Sequence, residues 1–203
     1  FVREELAGPL GAEFHIGVPD ADLDRVVPLI PFALPGPDDE PDPLITALLT
    51  PGTLTQRAFF IAPVMIESFN EPQLLQAQVP AANGCTNARS LARIYGSLVS
   101  EVDGVRLLDP ATVAAATEVQ ASGPDLVLVG QDVSLGCGWF LPDELSPMLG
   151  PGSFGHAGLG GSLGCALPER ELSFAYTMNQ CLADVRGDPR TQALLTAVLA
   201  ATA

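Results

Sequence analysis

The stretch between residues 150 and 178 constrains the fold of this 203-residue chain more than any other. Its first half is rich in glycine, and its second half contains the alternating run Leu172-Ser173-Phe174-Ala175-Tyr176. Apolar side chains that alternate with small or polar ones are typical of a strand with one face against a core. A polar turn at residues 168–171 precedes this run. We therefore predict an antiparallel hairpin of residues 162–167 and 172–178.

Helices are predicted on either side of this hairpin. Apolar residues recur three and four positions apart from residue 88 to residue 99, which predicts a helix that is capped by Thr86 and ends near Ser100. Asp109-Pro110 and Asp188-Pro189 each place a capping carboxylate before a proline in the first turn, where the missing N–H costs nothing. A further strand is predicted at residues 126–129. Helices, an antiparallel sheet and a covering C-terminal helix make an α+β fold.

The first third of the chain carries much weaker patterns. Six prolines fall between residues 28 and 43, around the acidic run Asp38-Asp39-Glu40, and predict a loop over the surface. Short apolar segments at residues 44–49 and 56–65 predict brief helices or extended stretches. We accordingly divide the chain into a loop-rich segment, 1–80, and a helix-and-sheet segment, 81–203, within one structural unit.

The charge balance excludes several classes of partner. The chain has 24 acidic residues, 9 arginines, no lysine and a formal net charge of −15. Such a surface repels phosphate backbones and anionic lipids, so neither nucleic acid nor a membrane surface is an expected partner. No apolar run approaches the roughly 18 residues of a membrane span. The four cysteines form no metal-binding cluster, so we expect no metal and no cofactor. Free thiols are expected, although disulfides stay open.

Three side chains look catalytic but fit simpler explanations. Ser162 lies in Gly160-Gly161-Ser162-Leu163-Gly164, which matches the nucleophile elbow of α/β hydrolases. That elbow needs a following helix and a later histidine, whereas a strand is predicted here and both histidines precede the serine. Tyr95 falls on the apolar face of a helix, which indicates packing. His15 is interpreted as a loop or surface histidine.

The segment from residue 154 to residue 164 has a sharper meaning. Its His156-Ala157-Gly158 resembles the third signature of the serine β-lactamase and penicillin-binding-protein superfamily, in particular the class C β-lactamase-like esterases of family VIII, where H-x-G stands in place of K-T-G. Four other segments resemble parts of the same family: Leu6-Ala7-Gly8-Pro9-Leu10-Gly11, residues 80–95, Gly136-Cys137-Gly138-Trp139-Phe140 and residues 172–180. The resemblance covers nearly the whole chain.

This resemblance implies roles for particular residues. His156, Ala157 and Gly158 would form one wall of the acyl pocket, and the backbone N–H of Leu159 would contribute to the oxyanion hole. Gly160 and Asn179 would lie beside the substrate. No residue of this chain is implied as the nucleophile or the general base.

The family mechanism also requires residues that this chain lacks. Family members acylate the serine of an S-x-x-K motif, and a tyrosine motif shares the proton transfer. A chain without lysine cannot contain S-x-x-K. Both motifs would belong to an N-terminal portion of the same protein, so we expect this chain to begin inside a longer polypeptide and to have that portion as its partner. Unclustered thiols favour the cytoplasm, while a secreted or periplasmic location stays open.

Charge favours a small, neutral ester as the substrate, although an amide is also compatible with the resemblance. His156 replaces the lysine that helps β-lactamases to hold a carboxylate, and Ala157 lacks the hydroxyl of threonine. A carboxylesterase is therefore the leading hypothesis. β-Lactamase, D-amino-acid peptidase and acyl-transfer activities remain alternatives, as does a catalytically inactive relative with a binding or scaffolding role. The upstream sequence distinguishes the enzyme from the inactive relative.

Overall fold

A computed structural model describes residues 1–32, 42–59, 66–182 and 188–202. The helices are α1 (Pro43–Leu49), α2 (Leu54–Phe59), α3 (Pro72–Gln76), α4 (Ala88–Val99), α5 (Pro110–Ala116) and α6 (Pro189–Ala201). The strands are β1 (Phe14–Ile16), β2 (Gly84–Thr86), β3 (Ala121–Asp125), β4 (Gln131–Leu135), β5 (Phe154–Ala157), β6 (Leu163–Leu167) and β7 (Leu172–Tyr176). Short 3-10 or π turns lie at Val2–Ala7, Asp20–Arg25, Ile66–Asn70 and Pro168–Arg170. This mixture confirms the predicted α+β class.

The central sheet has the antiparallel order β5-β6-β7. All five residues of β6 are buried because helices cover both faces of the strand. On one face α4 packs against β6 and β7. On the other face Leu195 of α6 joins Leu163, Cys165 and Leu167 in one apolar cluster. The predicted hairpin and its covering helix are confirmed, with strands slightly shorter than predicted.

Three aromatic rings fill the space between α4 and the sheet. Tyr95 lies 5.6 Å from Trp139 and 6.4 Å from Phe154, and Trp139 lies 5.1 Å from Phe154, each measured between ring centroids. Burial raises the pKa of Tyr95 far above its usual value. The tyrosine is therefore a core residue, as its helical spacing predicted. Its ring lies directly against the backbone of Gly164, where any side chain would overlap it.

The prediction of a strand at residues 126–129 is wrong. These residues form the turn between β3 and β4, which pair antiparallel from Ala121 opposite Leu135 to Asp125 opposite Gln131. The Asp125 carboxylate accepts hydrogen bonds from the N–H groups of Val127 and Leu128, at 2.8 and 2.9 Å. An aspartate that satisfies the backbone donors two and three positions ahead favours a turn over an extended strand.

The helix starts follow the predicted capping logic with one shift. Asp109 accepts from Thr112 N–H and Asp188 from Arg190 N–H, so both Asp-Pro starts are confirmed. At α4 the cap is Asn87, which accepts from Ser90 N–H at 2.9 Å. Thr86 is instead the last residue of β2, and its hydroxyl donates to the Glu13 carbonyl oxygen at 2.7 Å. The strand pairing takes Thr86 away from the capping position.

The first third of the chain contains more strand than the sequence indicated. β1 pairs with β2, and His15 lies opposite Cys85 in a strand, partly exposed, rather than in a loop. The segment predicted at residues 44–49 is α1, while only α2 is seen of the segment predicted at 56–65, whose end lies outside the described residues. Pro35, Pro37, Pro41 and the acidic run also lie outside them. The division at residue 80 stays a prediction.

We expect Gly164→Ala to lower the free energy of unfolding by about 1–3 kcal/mol, because the added methyl group would overlap the Tyr95 ring in a closely packed core. Urea denaturation followed by circular dichroism measures this change. Gly84→Ala is the control, since its new methyl would meet only the movable ring of Phe14, 3.3 Å away. Equal stability of the two variants would contradict this account of the core.

Candidate active-site strand

The candidate site lies along β5 and the turn that follows it. β5 pairs with β6 so that His156 lies opposite Gly164 and Ala157 opposite Leu163. Phe154 and His156 are two residues apart and therefore share one face of the strand. Phe154 is buried against α4, whereas His156 reaches the surface. The first residue of β5 is thus held in the core, and the candidate histidine lies near the exposed end of the strand.

The outer edge of β5 is only partly occupied. Gly155 exchanges two backbone hydrogen bonds with Phe140, at 2.9 and 3.0 Å. Beyond Gly155, none of the described residues pairs with this edge. Backbone groups of alternate strand residues face the same side, so Ala157 presents its N–H to this edge. An extended ligand or an acyl group could use this donor.

The His156 imidazole is held against an aromatic ring. Its centroid lies 4.8 Å from that of Phe140, in an edge-to-face arrangement. Partial burial lowers the pKa of His156 below its usual 6.5, although a hydrogen bond with the Ala157 backbone opposes this shift. The imidazole is therefore neutral at pH 7. Phe140 packs in turn on the cluster of Leu44, Leu128 and Val133, so α1 and the β3–β4 hairpin support the histidine.

A tight turn follows β5 and sets the direction of the Leu159 N–H. Gly161 N–H donates to the Gly158 carbonyl oxygen at 3.0 Å, which closes the turn. In a trans peptide the C=O and the next N–H point to opposite sides. Because the Gly158 carbonyl points into the turn, the Leu159 N–H points out of it. No described residue accepts a hydrogen bond from this N–H.

The glycines of this turn are required by its geometry. Gly160 has φ +98° and Gly161 has φ +113°, values that side chains strongly disfavour. A methyl at Gly160 would also lie 2.9 Å from Cys181 Sγ. Leu159 sends its side chain to a small apolar recess formed with Leu44, Ile45, Leu48 and Phe59 of α1 and α2. The turn therefore places an outward N–H beside an apolar surface.

Five of the six predicted site residues are consecutive in the chain, and the sixth, Asn179, lies in the segment after β7, whose Met178 and Cys181 approach Gly160. His156, Ala157, Gly158, Leu159 and Gly160 form the end of β5 and its turn. Asn179 lies beyond β7, exposed, and its carbonyl oxygen accepts from Ile30 N–H at 2.6 Å. Its side chain makes its described contact with the Pro28 carbonyl oxygen. A role for Asn179 beside the substrate stays a prediction.

Sequence reasoning missed two residues that contact this site, Phe140 and Arg190. Phe140 was seen only as part of a resembling segment, and its ring contact with His156 depends on the β5 pairing. Arg190 donates from Nη2 to the Gly160 carbonyl oxygen at 3.1 Å. Asp188-Pro189 marked a helix start, but nothing in the sequence indicated that the next arginine reaches back across 30 residues. Only the packing of α6 on the sheet brings it there.

The alternative sites are not supported by the structure. Ser162 lies directly before β6, so it does not occupy a strand-to-helix elbow. Among the described residues, no group of three or more histidine, cysteine or carboxylate side chains is arranged to hold a metal ion. Cys85, Cys137, Cys165 and Cys181, all within the described ranges, are free thiols. None of the helices in the described ranges has both the length and the apolar character needed to cross a bilayer.

Comparison with known proteins relates nearly the whole chain to one family. Residues 1–197 match the beta-lactamase family. The esterase/beta-lactamase LipL of Mycobacterium tuberculosis is 34% identical in an alignment 194 residues long, which covers 89% of this chain and 42% of that protein. A penicillin-binding-protein homologue from Caulobacter crescentus is 35% identical with a TM-score of 0.77, over 100% of this chain and 52% of that one.

Two further solved structures share the fold. A family VIII carboxylesterase is 29% identical with a TM-score of 0.78, over 98% of this chain and 50% of that one. EstA from Arthrobacter nitroguajacolicus Rue61a has a TM-score of 0.81 at 24% identity, over 98% of this chain and 52% of that one, and supports the fold alone. The chain spans about half the length of the relatives it matches. With the family match over residues 1–197 and the shared α+β architecture, this chain belongs to the beta-lactamase family of hydrolase folds.

Proposed function

We propose that this chain supplies one wall of the acyl pocket and one oxyanion-hole donor of a serine carboxylesterase. The observation that carries the proposal is the edge of β5, which no described residue pairs with beyond Gly155 and which leads from a neutral histidine to the outward N–H of Leu159. A relative named as an esterase/beta-lactamase and a structural neighbour named as a carboxylesterase support the same reaction class. The substrate would lie along the β5 edge, with its carbonyl oxygen towards the turn.

The reaction requires a nucleophile from outside these 203 residues. A serine activated by a lysine one helical turn away would give its proton to that lysine and attack the ester carbonyl. The ester C–O bond would then break, the alcohol would leave with the proton, and water would hydrolyse the acyl-enzyme to release the acid. Since this chain has no lysine, the pair would come from another segment of the same protein. The Leu159 N–H would stabilise the negative charge that develops on the carbonyl oxygen. One such preorganised donor typically changes turnover by about 100- to 1000-fold.

The character of the wall favours neutral substrates. A neutral imidazole at position 156 offers no fixed positive charge to a carboxylate. Ala157 adds no hydroxyl group, and the recess around Leu159 is lined by apolar side chains. The net charge of −15 further disfavours anionic ligands. Small neutral esters therefore outrank β-lactams, which carry a carboxylate, as the proposed substrates.

The 203-residue chain alone should hydrolyse neither p-nitrophenyl acetate nor nitrocefin above the rate in buffer, because it lacks the acylating serine and lysine. A polypeptide that joins this chain to its Ser-x-x-Lys segment should hydrolyse the acetate. Initial rates with both proteins, at matched concentration and with circular dichroism to verify folding, measure the difference. Turnover by the chain alone would overturn the placement of the nucleophile, and an inactive longer polypeptide would favour a binding or scaffolding role.

In the active polypeptide, His156→Ala should lower kcat/KM for neutral esters by about 10- to 100-fold, a loss of roughly 1.4–2.7 kcal/mol of transition-state stabilisation. His156→Lys should shift the preference towards acyl substrates that carry a carboxylate, since a positive charge then faces the pocket. Steady-state kinetics on neutral esters and one cephalosporin measure both effects. His15→Ala is the matched control, because His15 lies in β1 outside this wall. Unchanged rates in the folded His156→Ala variant would remove the residue from the site.

The His156 imidazole should titrate with a midpoint below 6.5, because partial burial disfavours its charged form. Below pH 6.5 the unfolded chain therefore binds this proton first, and acidification should reduce stability through this group. A proton NMR titration of the His15→Gln variant, which retains a single histidine, measures the midpoint directly. Phe140→Ala should move the midpoint back towards 6.5. A midpoint above 6.5 in the folded protein would contradict a neutral wall.

A further inference from the structure

We propose that Arg190 is a positioning residue, which holds the turn of residues 158–161 so that the Leu159 N–H faces the substrate carbonyl. The catalytic consequence of this inference rests on the proposed function. The contacts that hold the turn are independent of that function. Arg190 lies in the first turn of α6, on the opposite side of the turn from the outward N–H. It acts on the Leu159 N–H through intervening groups and makes no contact with substrate.

The Arg190 guanidinium connects three parts of the fold at once. Nη2 donates to the Gly160 carbonyl oxygen at 3.1 Å, and Nη1 donates to the Gln180 carbonyl oxygen at 2.8 Å. Its carbon atom Cζ lies 5.7 Å from the centroid of the Tyr176 ring, within cation–π range. The turn after β5, the segment after β7 and the start of α6 are thereby joined through one side chain. A planar group with five donors suits this task, whereas a lysine ammonium does not match its geometry.

Asp188 fixes the guanidinium in place. Its Oδ2 lies 2.6 Å from Arg190 Nη2, and the residue as a whole is 3% exposed. Burial alone would raise the pKa of Asp188, but the hydrogen bonds from Arg190 outweigh it and hold that pKa below its usual value. The pair is therefore ionised at neutral pH. Asp188 also lies directly against Gly161, where any side chain would overlap it.

Two peptide groups connect Arg190 to the Leu159 N–H. Because Arg190 and Leu182 N–H both bind the Gly160 carbonyl oxygen, the N–H on the other side of that peptide, which belongs to Gly161, is directed at the Gly158 carbonyl oxygen. In the peptide between Gly158 and Leu159 the C=O and N–H also point in opposite directions, so the Leu159 N–H points outward. Each link is a hydrogen bond seen in the structure or a planar trans peptide. Releasing the Gly160 carbonyl would let both planes rotate.

Arg190→Ala should therefore loosen the turn and weaken oxyanion stabilisation. We expect amide exchange of Gly161 N–H to accelerate by at least about tenfold and kcat for a neutral ester to fall by about 10- to 100-fold, with KM changed by less than about threefold. Arg190→Lys should recover only part of the loss. Guanidinium ion, added at low concentration, should partly restore the kcat of the Arg190→Ala variant. Leu182 N–H still binds the Gly160 carbonyl, which limits the size of the effect.

A thionoester of the same substrate separates positioning from general damage. Sulfur accepts hydrogen bonds more weakly than oxygen, so loss of an oxyanion donor should slow the oxoester much more than the thionoester. The matched control is Arg106→Ala, which also removes an arginine that donates to two backbone carbonyl oxygens, those of Leu108 and Val99, each at 3.0 Å. This control lies far along the chain from the turn. It should leave the oxoester-to-thionoester ratio unchanged.

The outcomes distinguish the two proposals. Faster Gly161 exchange together with a lower oxoester-to-thionoester ratio in Arg190→Ala supports positioning. The positioning role would be overturned if Arg190→Ala had the same Gly161 exchange rate and the same oxoester-to-thionoester ratio as Arg106→Ala. It would also be overturned if Gly161 exchange became faster in an active enzyme while that ratio stayed unchanged. If the wild-type polypeptide with its Ser-x-x-Lys segment hydrolyses no ester, the proposed function fails. Faster Gly161 exchange would then still support Arg190 as the residue that holds the turn.

Discussion

The burial of β6 on both faces is the constraint on which the rest of the structure depends. Its five residues are all apolar or glycine and alternate between two helices. Leu163, Cys165 and Leu167 face α6, while Gly164 and Ala166 face α4. A strand that is covered on both sides cannot slip by one residue without exchanging these faces. Its register therefore fixes the register of β5 and β7, and with it the position of His156.

The two helices contribute differently to the site. α4 brings Tyr95 against Gly164 and packs it with Trp139 and Phe154, which anchors the start of β5. α6 brings Asp188 and Arg190 to the turn at the end of β5. One end of the candidate strand is therefore held by aromatic packing and the other by an ion pair whose carboxylate is buried and whose guanidinium is partly exposed. Between them lies a backbone edge that none of the described residues pairs with beyond Gly155.

The wall presented by this chain is polar in its backbone and nearly neutral in its side chains. Hydrogen-bond donors that belong to the backbone need no charge and do not titrate, so their strength is independent of pH. Neither the neutral His156 nor the apolar recess beside Leu159 adds a positive side chain to this wall, and Arg190 lies on the other side of the turn, paired with Asp188. Under the proposed function, such a wall would stabilise the charge that forms during ester cleavage better than a charge already present on the substrate.

The sequence by itself determined the α+β class, the β6–β7 hairpin, the starts of α5 and α6, and the resemblance of His156-Ala157-Gly158 to a family signature. Each of these depends on neighbours within a few residues, through alternation, helical spacing or a cap. The tertiary structure decided that residues 126–129 turn rather than extend, that Asn87 rather than Thr86 caps α4, and that Phe140 and Arg190 reach the candidate site. Thr86, Phe140 and Arg190 are placed by pairing and packing between segments distant in sequence, which no local pattern encodes. At residues 126–129 the apolar side chains favour a strand, whereas the hydrogen bonds that the Asp125 side chain accepts favour a turn. The structure shows the turn.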